Sequence, residues 1–137
     1  MKKNEFVIEE FKKVGLSNYY MQMFDKDCNV NQRIYLLLKF IGIDQSGYGF
    51  DYLFEALKHL VKNPENDLTL GEVYDIIKKR YGKTTGSIER AIRTAKEKAI
   101  ESMNPSLKVL VFGTNMKEIK NANFICALVN FIKYDIC

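Results

Sequence analysis

The chain has one histidine, His59, and three cysteines, Cys28, Cys126 and Cys137, none of them in a C-x-x-C pair. Metal ligands normally come in closely spaced Cys and His clusters, so a zinc site is not expected, and three scattered thiols do not make a disulfide framework. There is no Ser-His-Asp arrangement, no H-E-x-x-H and no Walker-type glycine loop. Gly47-Tyr48-Gly49 has too few glycines and no preceding strand to cradle a phosphate. Catalysis, metal and cofactor chemistry therefore find no constellation to rest on, and the expectation is a chain that is not an enzyme. No apolar run approaches the ~20 residues of a membrane span. The basic start Met1-Lys2-Lys3 is soon interrupted by Glu5, Glu9 and Glu10, which argues against a signal peptide. The expected setting is the cytoplasm, with reduced thiols.

What is present is apolar: 47% hydrophobic and 12% aromatic residues over 137 positions, enough for the core of one domain. The apolar spacing follows the helical period with no sustained alternation, which predicts an all-α, multi-helix domain. Phe6, Val7, Phe11 and Val14 form a first stripe ended by Gly15. A polar stretch from Asp25 to Asn31 then sets a boundary between an N-terminal helical extension (1–30) and the main domain (31–137). Ile34, Leu37, Leu38 and Ile41 make the next stripe, and Leu53, Ala56, Leu57 and Leu60 another, which Asn63-Pro64 should end. The stretch 106–112 (SLKVLVF) fits either a short strand or a buried helix. Phe124, Leu128, Phe131 and Ile132 predict a final helix over 121–136.

The centre of the chain, Leu70 to Ala99, reads as helix, tight turn, helix. Thr69 with Glu72 three residues on is a capping-box pattern. Gly82 supplies the turn, and Thr84 is placed to cap the second helix, from about Thr85 to Ala99. Ile88, Ala91, Ile92, Ala95 and Ala99 give that helix a narrow buried stripe whose alanines permit close approach to the preceding helix. Gly86, Glu89, Arg90, Arg93 and Glu97 fall opposite. Such a helix-turn-helix places its second helix in the DNA major groove.

The charge agrees with that plan. From Lys78 to Lys98 there are eight basic residues (Lys78, Lys79, Arg80, Lys83, Arg90, Arg93, Lys96, Lys98) and two acidic ones (Glu89, Glu97). That is +6 locally against +4 for the whole chain, so the remainder sums to −2. A concentrated basic patch on a recognition-like helix is the electrostatic footprint of DNA binding. Arg90 and Arg93 are the candidates for bidentate contact with guanine, and Glu89 for a bond from cytosine. Lys78, Lys79, Arg80 and Lys83, with the Thr84 and Thr85 hydroxyls, are candidates for phosphate. The plainer alternative is a solvated face tied by Glu89–Arg93 and Arg93–Glu97 pairs, with the lysines serving the helix macrodipole.

The motifs I-G-x-x-x-x-G-Y-x-x-D-Y-L-F-E-A-L (Ile41 to Leu57), VYDIIKKRY (Val73 to Tyr81), IERAIRTA (Ile88 to Ala95), VFG (Val111 to Gly113) and NANFICALV (Asn121 to Val129) occur in one order. In that order they resemble the C-terminal effector domain of the sporulation regulator Spo0A. The resemblance implies an all-helical fold, sequence-specific binding of double-stranded DNA, often as tandem copies, and contact with RNA polymerase sigma factor. By position, Glu89, Arg90 and Arg93 match residues of the family's recognition helix that face DNA. Ser87 stands where the family has a base-reading arginine, and Thr94 where it has a histidine. No strand–helix alternation precedes the matching region, so no receiver domain is expected. Control by phosphorylation of this chain is not expected either. The N-terminal stripe is a candidate for homodimer formation. A second reading keeps the fold but replaces operator binding with protein interaction, with sigma factor or a full-length relative as partner.

Overall fold

The computed structural model describes residues 28–62, 68–113 and 118–136. The stripe of Phe6, Val7, Phe11 and Val14 and the stop at Asn63-Pro64 lie outside them. Six α-helices follow in order: α1 (Val30–Phe40), α2 (Tyr48–Lys62), α3 (Leu70–Tyr81), α4 (Thr85–Ser102), α5 (Pro105–Phe112) and α6 (Asn121–Asn130), which runs into a wider π-helical turn over Phe131–Ile136. The described residues contain no strand.

The local chemistry explains each start and stop. Asn29 caps α1 by accepting from Gln32 N (2.8 Å) while Gln32 Oε1 accepts from Asn29 N (2.9 Å), a complete capping box. Buried Ile34, Leu37 and Leu38 face the core with Ile41 just beyond. In the loop before α2, Asp44 accepts from the Ser46 N–H and hydroxyl, which holds its carboxyl below the usual range. The Thr69–Glu72 box forms only by half. Thr69 accepts from Glu72 N (3.1 Å), but the Glu72 carboxylate takes the Thr69 hydroxyl (3.2 Å).

The ambiguous stretch 106–112 is helical. Asn104 accepts from Ser106 N (2.8 Å) and Pro105 occupies the first turn, where its missing N–H leaves no bond unmade. The Phe112 ring then stacks on Phe124 of α6 at 5.1 Å. Phe124, Leu128, Phe131 and Ile132 all point into the core, as their spacing predicts.

Helix α2 is the hub, packed against α1, α3, α4 and α6. It approaches α4 closely at Gly49. A Cβ built on Gly49 would lie 2.6 Å from the Ala91 carbonyl oxygen and 2.7 Å from the Ala95 Cβ. Backbone therefore meets backbone, and the small alanines Ala91 and Ala95 of α4 line this crossing with α2. Three tyrosines pack beside the crossing. Tyr48 stacks on Tyr52, and Tyr52 meets Tyr81 of α3 edge-on at 5.2 Å.

Gly49→Ala forces the helices apart and is expected to destabilise the fold by about 1–3 kcal/mol, the usual range for overpacking. Gly86→Ala meets no atom within 4 Å and is expected to stabilise by up to about 1 kcal/mol through helix propensity. Urea-unfolding midpoints of the two variants should move in opposite directions.

Burial is the first cause that raises the phenols of Tyr52, Tyr74 and Tyr81 above their ordinary value. A raised acid favours its neutral form in the fold, so the associated stability is full below about pH 10 and is lost as pH climbs through the raised values. Urea midpoints measured from pH 8 to 11 should hold and then fall, with tyrosinate absorbance rising together with unfolding.

Candidate nucleic-acid interface

Helices α3 and α4 are joined by three residues, Gly82 to Thr84. Gly82 closes α3 at φ 65°, a left-handed position that suits glycine, and its N–H bonds to Lys78 O at 2.8 Å. Two residues later Thr84 accepts from Ser87 N at 3.1 Å and starts α4. A left-handed stop followed at once by a side-chain cap turns the chain sharply, the local geometry of a helix-turn-helix. The Thr84 hydroxyl is thus occupied as a cap. Helix α4 runs to Ser102, three residues past the expected end at Ala99.

On α4, Ile88, Ile92, Ala99 and Ile100 are buried. Gly86, Ser87, Arg90, Arg93, Thr94 and Glu97 are exposed, while Thr85 and Glu89 are half-buried. Among the described residues, no carboxylate lies within 4.0 Å of Arg90 or Arg93, so the Glu89–Arg93 and Arg93–Glu97 pairs that the spacing permits do not form. Both guanidinium groups present their donors to solvent.

The basic cluster at the turn divides. Arg80 Nη1 is 3.1 Å from Oε1 of Glu55, a carboxylate of α2 only 5% exposed. Glu55 also has two other basic side chains beside it: Lys58 Nζ lies 3.9 Å from Oε1, and His59 Nε2 lies 3.4 Å from Oε2 without hydrogen-bond geometry. A buried carboxylate needs such company, because an unpaired charge in the interior is strongly unfavourable. Arg80 therefore ties the end of α3 to α2. Lys78, Lys79 and Lys83 have no carboxylate within 4.0 Å among the described residues, and Lys79 and Lys83 are exposed. The sequence names Arg80 but contains no sign of its partner, because Glu55 lies 25 positions away on another helix.

Lys96 behaves differently from its neighbours. Its residue is 7% exposed. Burial lowers its pKa, Glu97 and Glu118 pull it back up, and Arg93 pushes it down. It lines a cleft of about 840 Å³ between α4 and α6, together with Glu89, Arg93, Glu97, Glu118, Lys120 and Asn121. Three carboxylates and three cations balance there, so the cleft wall carries no net formal charge.

At the edge of this cleft, Asn121, the first residue of α6, donates from Nδ2 to the Glu89 carbonyl oxygen at 3.0 Å. Tyr74 of α3 sits against both. Burial and the Glu89 charge raise its phenol, while a bond from Asn121 and the charge of Arg93 act the other way. Nothing in the sequence reading singles out Asn121 or Glu55. Both act through tertiary contacts that local pattern does not encode.

Among the described residues, no group of three or more His, Cys, Asp or Glu is placed to hold a metal, and no helix is long and apolar enough to cross a membrane. A family model described as "Sporulation initiation factor Spo0A C terminal" matches residues 34–132. The match begins within α1 and ends in the turn after α6, so it takes in every helix from α2 to α6. No curated protein and no solved structure gave a match. With the helix-turn-helix geometry at its centre, the chain belongs to the Spo0A C-terminal family, a family of DNA-binding effector domains.

Proposed function

We propose that this chain is a sequence-specific transcription regulator that lays α4 in the DNA major groove. The observation that carries the reading is the outer face of α4, where Arg90 and Arg93 stand exposed and without a carboxylate partner. Arginine in this state offers two parallel donors to guanine O6 and N7. Ser87, Glu89 and Thr94 share the base-facing role. Lys78, Lys79 and Lys83 anchor phosphates, with Thr85 beside them at the start of α4, while the Thr84 hydroxyl serves the cap and Arg80 serves Glu55. The DNA-binding unit is the stretch from about residue 31 onward, with 1–30 as an extension.

Because the reading face is already open among the described residues, binding in this proposal does not wait for phosphorylation of the chain. Sigma factor of RNA polymerase and a second copy of the chain are the proposed protein partners. A second reading, a protein-interaction module that has lost its operator, draws on one feature: Ser87 is exposed at the position where an arginine would reach a base.

Selection from a random duplex pool at near-physiological salt should enrich one motif. The phosphate anchors Lys78, Lys79 and Lys83 together would give a log–log salt slope of about −2.7, at roughly −0.9 per neutralised phosphate. No enrichment, with weak binding at every salt concentration, would favour the interaction module. Arg90→Ala should lose about 1–3 kcal/mol of discrimination at one or two base positions. Lys79→Ala should weaken all sequences alike and flatten the slope by about 0.9. An Arg90→Ala chain that discriminates like the parent would refute the assignment of α4.

A further inference from the structure

Helix α4 is held mainly by an apolar stripe of Ile88, Ile92, Ala99 and Ile100 and by the smooth Ala91–Ala95 contact with Gly49. Apolar contact is non-directional. It sets how close two helices lie, but it sets the rotation of a helix about its own axis only loosely. Rotation matters to a reading helix. With side chains a helix is about 10–12 Å across, so a turn of about 20° moves a point on its surface by about 2 Å. Bidentate bonds to a base edge do not survive such a shift, since N–H···O bonds form within a few tenths of an ångström.

Among the described residues, a directional bond from outside the helix-turn-helix reaches α4 in its second turn, at Glu89. The Asn121 side chain crosses from the start of α6 to the Glu89 carbonyl oxygen (3.0 Å), on the residue just before Arg90 and one turn before Arg93. The same side chain faces the Tyr74 phenol of α3, whose pKa it lowers. The orientation of that amide is determined. Flipped, its oxygen would face the Glu89 carbonyl, lone pair to lone pair. As it stands, Asn121 Oδ1 is buried with no hydrogen-bond partner. A buried acceptor left unpaired opposes folding, so stability is a poor account of an asparagine here, whereas geometry is a good one.

We propose that Asn121 is a positioning residue for DNA reading: its amide, bonded to the Glu89 carbonyl and facing Tyr74, fixes the rotation of α4 and thereby the directions in which Arg90 and Arg93 leave the helix. The proposal rests on the operator reading above.

The test compares the parent chain with Asn121→Asp and Asn121→Leu. Asp is isosteric and favourable in the first turn of α6 but has no donor to give. Leu fills a similar volume and removes both the donors and the orphaned acceptor. Each is assayed, after circular dichroism shows it folded, on the duplex enriched by the parent and on a scrambled duplex. The expected result is that the ratio of the two affinities falls about tenfold or more, the worth of one bidentate pair, while binding to the scrambled duplex stays within about twofold. A purely structural role would scale both affinities by the folded fraction and leave the ratio unmoved. If either folded variant keeps the parent's ratio, Asn121 is not a positioning residue. If both variants fail to fold, Tyr74→Phe, which removes the phenol from the same bridge, takes their place under the same criterion. A parent chain with no preference between the duplexes would instead refute the operator reading, and the role of Asn121 with it.

Discussion

The fold depends on the crossing of α2 and α4 at Gly49, where a methyl group has no room. A Cβ there would sit 2.6 Å from a carbonyl oxygen of the other helix, a distance that side-chain motion cannot relieve because the obstacle is backbone. The contact brings the reading helix against the hub of the domain. The same hub helix holds the other half of the helix-turn-helix, through the Glu55–Arg80 ion pair and the Tyr52–Tyr81 ring contact. Both helices of the motif are therefore referenced to α2, and their mutual angle follows from two independent attachments as well as from the three-residue turn between them.

This arrangement sorts the basic residues by role. Local sequence presents Lys78 to Lys98 as one patch of +6. In the fold, Arg80 stays exposed but is tied to a carboxylate on α2, and Lys96 is buried in the wall of the cleft beside α6. The cations left exposed and without a carboxylate partner among the described residues are Lys79, Lys83, Arg90, Arg93 and Lys98, with Lys78 half-buried. Removing Arg80 would leave the buried Glu55 carboxylate without its nearest cation, which is more damaging than the loss of the attraction itself. The pair is for that reason a constraint on the turn more than a source of stability.

Much of the domain is legible in the chain because its signals are local. The stripes around Leu37 and around Ile88 follow the helical period, and the Thr84 cap and Gly82 stop lie within four residues of the bonds they make. The outward directions of Arg90 and Arg93 follow from the same arithmetic of about 100° per residue. The sequence also carries the family, since the ordered motifs from Ile41 onward span most of the residues that the family model matches. The stretch 106–112 is ambiguous because an apolar run of that length has no period to read, and the Asn104 cap with Pro105 at the first turn decides it.

By itself, then, the sequence determined an all-helical domain, its turn, its charged helix face and its family. Each of these depends on residues within one or two helical turns of one another, or on motifs in linear order. Tertiary structure alone decided that Gly49 is the contact point for Ala91 and Ala95, that Arg80 belongs to Glu55, and that Asn121 reaches the Glu89 carbonyl. Those pairs are separated by 25 to 46 positions, and no periodicity links residues across such distances. Only the packing of α3, α4 and α6 on α2 brings them within bonding range.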